Sequence, residues 1–140
     1  MNSNQTSTPS PRRIAITGAS GLVGSRLAER LEARGDDVYR LVRSGTTSGK
    51  DIQWNPSGGT IDRKALEGMD AVVHLAGASI AGGLWTEKRQ RLIRESRVEG
   101  TALLAEALAS LQRPPKVLVS TSAIGYYGDG GQQVITEGSP

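Results

Sequence analysis

The chain has 140 residues, room for one domain with one core, and a formal charge of +3 from 17 Lys+Arg against 14 Asp+Glu. It contains no cysteine, which excludes a disulfide framework and a thiolate site, and so small a basic excess does not by itself point to nucleic acid. Glycine is abundant at 18 residues, aromatics make up only 4% and phenylalanine is absent, so Leu, Val, Ile and Ala must build the core between closely packed layers.

Residues 1–11 (MNSNQTSTPSP) are polar and uncharged, and read as a disordered leader ahead of a domain over 12–140. They lack the basic-then-apolar pattern of a signal peptide. No apolar run approaches the roughly 18 residues needed to cross a bilayer. The expectation is a soluble, cytoplasmic protein with no membrane partner.

The apolar run Ile14-Ala15-Ile16 predicts a strand, and Thr17-Gly18-Ala19-Ser20-Gly21-Leu22-Val23-Gly24 follows it directly. Three glycines spaced three apart between a strand and a helix suit a diphosphate. Gly18 permits the tight turn, Gly21 removes the side chain where backbone approaches phosphate, and Gly24 lets the helix pack closely on the sheet. The helix N-terminus adds free N–H groups and partial positive charge. Val23, Leu27 and Leu31 form the apolar stripe of that helix, Gly35 ends it, and Val38–Val42 reads as the second strand.

Ser44–Lys50 is a polar loop. Asp51–Trp54 and Gly59–Ile61 read as short extended pieces around the turn Asn55–Gly58, and Asp62–Gly68 as a short helix. Ala71–Gly77 is a continuous apolar run of the kind found in strands buried on both faces of a parallel sheet. A Gly- and Ala-rich loop then leads to a long helix over Thr86–Leu111. Its apolar positions include Leu92, Ile93, Leu103, Leu104, Ala107, Leu108 and Leu111, while Lys88, Arg89, Arg91 and Arg94 mark a charged face. Gly100 inside this helix suggests a close approach to the sheet. Lys116–Ser120 is the next buried strand.

Strands alternating with helices predict an α/β fold, a doubly wound parallel sheet of the Rossmann type with strand order 3-2-1-4-5. Gly18–Gly24, Leu75-Ala76-Gly77 and Ser120–Ser122 would open onto one carboxyl-end rim. The last strand would have an open edge through which copies could associate.

TGASGLVG, DAVVHLAG (70–77), VEGTALL (98–104) and VLVSTSAIGYYG (117–128) resemble the extended and atypical short-chain dehydrogenase/reductases. The likeness is strongest to the sugar-nucleotide epimerase branch, the NAD-dependent epimerase/dehydratases. Trp54-Asn55-Pro56, Trp85-Thr86 and Ser96–Thr101 add to it. The resemblance implies a dinucleotide site made by Gly18, Ala19, Ser20, Gly21, Leu22, Val23, Gly24, Arg43, Leu75, Ala76, Gly77 and Ser120. It also implies hydride transfer at a carbinol carbon of a small-molecule substrate such as a nucleotide sugar. Ser122 matches the position of the family's catalytic serine. The family's Tyr-x-x-x-Lys pair is absent, since no lysine follows Lys116, so Tyr126 and Tyr127 cannot head such a motif. The expectation is a chain truncated before the later strands and substrate lobe, able to hold cofactor without turnover. Arg97 and Thr60 stand where many extended members carry Asn and Asp.

An NAD site usually ends its second strand in an acid that accepts from the ribose 2′-hydroxyl. Here the strand ends Leu41-Val42-Arg43-Ser44, and Arg43 suits a 2′-phosphate, with Ser20 offering a hydroxyl. NADP is therefore favoured over NAD. The same missing acid argues against a methyltransferase. His74, the only histidine, reads as a structural strand residue, and no metal-ligand set accompanies it. The basic face over Lys88–Arg97 reads as a solvated helix face and not a nucleic-acid surface. A non-catalytic module that binds NADP as a sensor or regulator is the alternative to an oxidoreductase.

Overall fold

The computed structural model describes residues 10–45, 48–81, 83–123, 128 and 131–139. Most of the expected leader (1–9), together with Tyr126 and Tyr127, lies outside the described residues.

In chain order the elements are β1 (Arg13–Thr17), α1 (Leu22–Ala33), β2 (Asp37–Val42), β3 (Asp51–Asn55), β4 (Thr60–Ile61), α2 (Arg63–Leu66), β5 (Ala71–His74), α3 (Glu87–Ala109) and β6 (Val117–Ser120). Among the described residues the strands form one sheet, ordered β4-β3-β2-β1-β5-β6. Its five long strands run parallel in the expected order 3-2-1-4-5. The difference is one detail: β4 is an added antiparallel edge strand. It exists because Asn55 Oδ1 accepts from Gly58 N–H at 3.1 Å, turning the chain through a single 3₁₀ turn that brings Ile61 beside Trp54.

The sheet divides the core in two. Ile14, Ile16 and Val38 pack with Ala28 of α1 on one face, whereas Ala15, Leu41, Ile52 and Val72 pack with Leu66 of α2 and Leu104, Ala107 and Leu108 of α3 on the other. Alternation along β1 produces this division, since successive side chains point to opposite faces. Full burial of Ile16, Ile52, Leu66 and Leu104 contributes about 1.5–3 kcal/mol each. Local polar contacts set the element starts. Asp62 Oδ1 caps α2 through Ala65 N–H at 3.0 Å, and the Thr86 hydroxyl caps α3 through Arg89 N–H at 3.3 Å. Asp70 Oδ2 accepts from Arg13 N–H at 2.9 Å and ties the start of β5 to β1.

Three expectations are corrected. The buried face of α1 is Gly24 and Ala28, with Leu27 and Leu31 flanking, while Val23 is 65% exposed. The reason is the contact at Gly24: only its missing side chain allows α1 to lie on the Gly18 carbonyl. The strand expected over Ala71–Gly77 ends at His74, because its neighbour β1 ends at Thr17, the residue paired with it. Finally, β6 is not buried. Val117, Leu118 and Val119 are 51%, 44% and 51% exposed, since β5 is the strand that pairs with β6 and neither core cluster includes a β6 residue.

Candidate dinucleotide site

Parallel strands place all their carboxyl ends on one rim, and the chemistry-bearing residues collect there. Thr17 ends β1 and Gly18 turns the chain with φ +67°, in the left-handed region that disfavours side chains. A Cβ at Gly18 would lie 2.9 Å from the Leu75 carbonyl carbon and oxygen and 3.0 Å from Ala76 N. Glycine is therefore required by the approach of the segment after β5 as well as by φ. The turn closes through Gly21 N–H to the Gly18 carbonyl at 3.0 Å. That carbonyl is also the atom a Gly24 Cβ would strike, at 2.2 Å.

Gly21 caps α1 without a side-chain hydrogen bond, and the first turn has no acidic residue. The positive end of the helix dipole thus faces the rim, and among the described residues no carboxylate or hydroxyl caps it. Ala19 is buried beneath the loop, whereas Ser20, Gly21, Leu22 and Val23 are exposed, Leu22 by 87%. A loop of small residues leading into an uncapped helix N-terminus suits a diphosphate.

The partners expected around this loop are on the same rim. Leu75 and Ala76 lie against Gly18, and Gly77 follows. Arg43 follows the last residue of β2 and is exposed, in no ion pair with a described carboxylate. Ser120 ends β6 in register with His74, and Ser122 lies two residues beyond it, exposed. Thr121 N–H donates to the His74 carbonyl at 3.2 Å and holds this exit to β5.

Four residues in this region were given no part in the site by sequence reasoning, and two of them, Arg89 and Arg97, were read with the solvated face of α3 yet bond backbone carbonyls. Thr17 Oγ1 accepts from both Leu75 and Ala76 N–H at 3.1 Å each, fastening one side of the rim to the other. The Arg97 guanidinium rests where a Gly77 Cβ would be, at 3.2–3.4 Å, and its Nη1 donates to the Ala78 and Ile93 carbonyls at 3.1 Å. Ser96 Oγ accepts from Ala78 N–H at 3.0 Å. Arg89 Nη2 donates to the Ser79 and Ala81 carbonyls at 2.8 and 3.4 Å, lacing the loop ahead of α3. Ser96 and Arg97 stand five and four residues before Thr101, a spacing visible in the sequence. The contacts depend on where α3 crosses the rim, which periodicity does not encode. His74 is 3% exposed, and both ring nitrogens are engaged by hydroxyls, consistent with the structural role expected of it. Thr60 sits in β4 opposite Asn55.

No helix of the described residues is long and apolar enough to cross a membrane.

The family model described as "NAD dependent epimerase/dehydratase family" matches residues 14–140. An epimerase family protein of Mycobacterium bovis is 38% identical over 124 residues, covering 89% of this chain and 40% of its own length. The crystal structure of a nucleoside-diphosphate sugar epimerase from Corynebacterium glutamicum superposes with a TM-score of 0.75 at 39% identity, over 93% of this chain and 26% of that one. The human epimerase family protein SDR39U1, solved with NADPH, superposes with a TM-score of 0.69 at 33% identity, over 82% of this chain and 38% of that one. The chain spans about two-fifths of the length of the curated relatives it matches.

Proposed function

Because the chain belongs to the NAD dependent epimerase/dehydratase family, we propose that it binds a dinucleotide at the rim described above, with NADP preferred. The observation that carries this reading is the N-terminus of α1, capped by no side chain, with Gly18 set so close against Leu75 and Ala76 that no Cβ fits there. Gly18, Ala19, Ser20, Gly21, Leu22, Val23 and Gly24 hold the pyrophosphate, with their amides and the helix dipole opposing its charge. Leu75, Ala76, Gly77 and Ser120 flank the adenosine and ribose. Arg43 pairs with the 2′-phosphate. The family description names NAD and the human relative was solved with NADPH, so the preference rests on Arg43 standing where an acid would select NAD.

When bound, the cofactor supplies a hydride acceptor or donor. The substrate class proposed is a carbinol carbon of a nucleotide sugar, in keeping with the Corynebacterium relative's name. Ser122 would steady the substrate oxygen through its hydroxyl. The 140 residues by themselves are proposed to bind cofactor without turnover, because no Tyr-x-x-x-Lys pair occurs among them. Hydride exchange on a sugar nucleotide by the isolated chain would refute that point.

The test is a titration of NADP(H) and NAD(H) followed by thermal shift and calorimetry. At one hundred times Kd the bound state should gain about 2.7 kcal/mol of stability. Arg43→Ala should weaken NADP by about tenfold and leave NAD within about twofold, a charge-assisted hydrogen bond being worth about 1.5–3 kcal/mol. Failure of both cofactors to bind below millimolar concentration would sink the reading.

A further inference from the structure

The buried hydrogen bonds around His74 fix its protonation state, and that state holds the two sides of the rim together. Thr17 Oγ1 has one proton and two lone pairs. Leu75 N–H and Ala76 N–H both donate to it at 3.1 Å and occupy the lone pairs. Among the described residues its own proton has one remaining acceptor, His74 Nδ1, at 2.7 Å. Nδ1 is therefore bare, and the proton of the neutral ring resides on Nε2, which donates to Thr101 Oγ1 at 3.0 Å. Trp54 meets the ring edge-on, with centroids 6.1 Å apart and planes at 87°. The ring is thus enclosed by β1, β3, β5 and α3.

We propose that His74 is the positioning residue of the dinucleotide site: as the neutral Nε2–H tautomer it orients Thr17 to clamp Leu75 and Ala76 against the glycine loop, and its protonation releases that clamp and weakens dinucleotide binding.

The release follows from counting donors. A proton on Nδ1 would confront Thr17 Oγ1 with a third N–H when both lone pairs are filled, so one amide must let go: Leu75 N–H, which keeps the Thr17 carbonyl at 3.3 Å, or Ala76 N–H. Those atoms are the ones in contact with Gly18, the first glycine of the phosphate loop. Two hydroxyls and an indole face the imidazole, none of them charged. The charged residues of the strands around it, Arg13, Asp51 and Asp70, lie at the opposite, amino ends. On α3 the charged residues nearest Thr101 along the helix are Glu99, which is exposed, and Arg97, one turn before Thr101, with its guanidinium on Gly77. Burial by itself pushes the His74 pKa below 6.5, so the clamp is closed at neutral pH and opens in acid.

This inference rests on the dinucleotide reading for its effect on affinity, but the clamp is measurable without ligand. Because His74 is the only histidine, its ring nitrogens can be assigned in a long-range ¹H–¹⁵N spectrum of the 140-residue chain. At pH 7.5 the spectrum should show Nε2 protonated and Nδ1 bare, and the Leu75 and Ala76 amide shifts should titrate together with the ring. A ring protonated at Nδ1, or amides that stay still while the ring titrates, overturns the proposal whatever binds. For affinity, NADP⁺ binding is followed by calorimetry from pH 8 to 5 for wild type and His74→Asn. The Asn Oδ1 keeps the acceptor for Thr17 and does not titrate. His74→Asn should bind more weakly than wild type at pH 7.5, where the wild-type clamp is closed, and the wild-type to variant affinity ratio should fall by up to tenfold per pH unit below the ring pKa. The cofactor's own phosphate ionisation cancels in that ratio. Thr17→Val, which removes the clamp at every pH, should raise Kd about tenfold and lose the His74-linked pH dependence. Identical pH profiles for wild type and His74→Asn refute the proposal. Absence of binding to wild type while the ring is Nε2–H refutes the dinucleotide reading and leaves the clamp standing.

Discussion

Two glycine-to-alanine substitutions, both inside helices, should move stability in opposite directions. Replacing a helical glycine by alanine gains about 1 kcal/mol of intrinsic propensity at either position. At Gly100 of α3 the new methyl would lie 3.7 Å from a Trp54 ring carbon and 3.8 Å from Pro56 Cβ, ordinary contact distances. Gly100→Ala should therefore keep the propensity gain and stabilise the fold by about 1 kcal/mol. At Gly24 of α1 the methyl would lie 2.2 Å from the Gly18 oxygen and 2.9 Å from Ala19 Cα and the Gly18 carbonyl carbon. All three atoms are backbone, so no side chain can rotate away. Restoring normal contact requires α1 to retreat by roughly 1 Å, at the upper end of the ~1–3 kcal/mol found for overpacked cores. The net loss should be about 2 kcal/mol, and the displaced helix end should bind dinucleotide at least tenfold more weakly. Urea unfolding followed by tryptophan fluorescence measures both, since Trp54 is 4% exposed and reports on the α3 side of the core. A separation of about 3 kcal/mol corresponds to midpoints roughly 1–3 M apart. Equal stability of the two variants would refute the argument that Gly24 is a contact-limited glycine.

Three further outcomes are expected. His74 has a folded pKa below its unfolded value of 6.5, so the unfolded state binds more protons in between; stability should be full above pH 6.5 and fall with pH towards the folded pKa. His74→Asn should remove that part of the pH dependence, and a pH–stability curve unchanged by the substitution would contradict it. Glu67 accepts from Gln112 and Arg113 N–H at 2.9 Å each and anchors the turn after α3, so Glu67→Gln should cost about 1–2 kcal/mol in urea unfolding. Since Leu118 and Val119 present opposite, half-exposed faces of an edge strand, the 140-residue chain should self-associate as concentration rises, and Leu118→Lys should reduce this in light scattering. A wild-type chain that stays monomeric up to millimolar concentration would count against association through that edge.

The local pattern was enough for the layout of the molecule. A strand, a glycine turn and an amphipathic helix can be recognised within some twenty residues because glycine spacing and apolar period are properties of neighbours in the chain. The same holds for Arg43 at the tip of β2, for the helix starts at Asp62 and Thr86, and for the parallel order implied by strands alternating with helices. Where these local readings failed, a distant contact was responsible. The stripe Val23-Leu27-Leu31 was displaced because Gly24 must sit on the Gly18 carbonyl, so the smallest residues and not the largest face the sheet. The run Ala71–Gly77 left the sheet at His74 because β1 supplies no further partner, and its amides turned to the Thr17 hydroxyl instead. Apolar composition marked β6 as buried, yet burial belongs to what packs on a strand and not to the strand.

By itself, then, the sequence determined that this protein has a glycine-lined helix end, a basic strand tip and a doubly wound sheet to carry them. Only the tertiary structure decided that His74, 57 residues away from Thr17, would share a proton with it and that Arg97 would rest on Gly77. Hydrogen bonds between residues so far apart have no period along the chain; they come into being when strand register and the crossing of α3 bring the groups within reach.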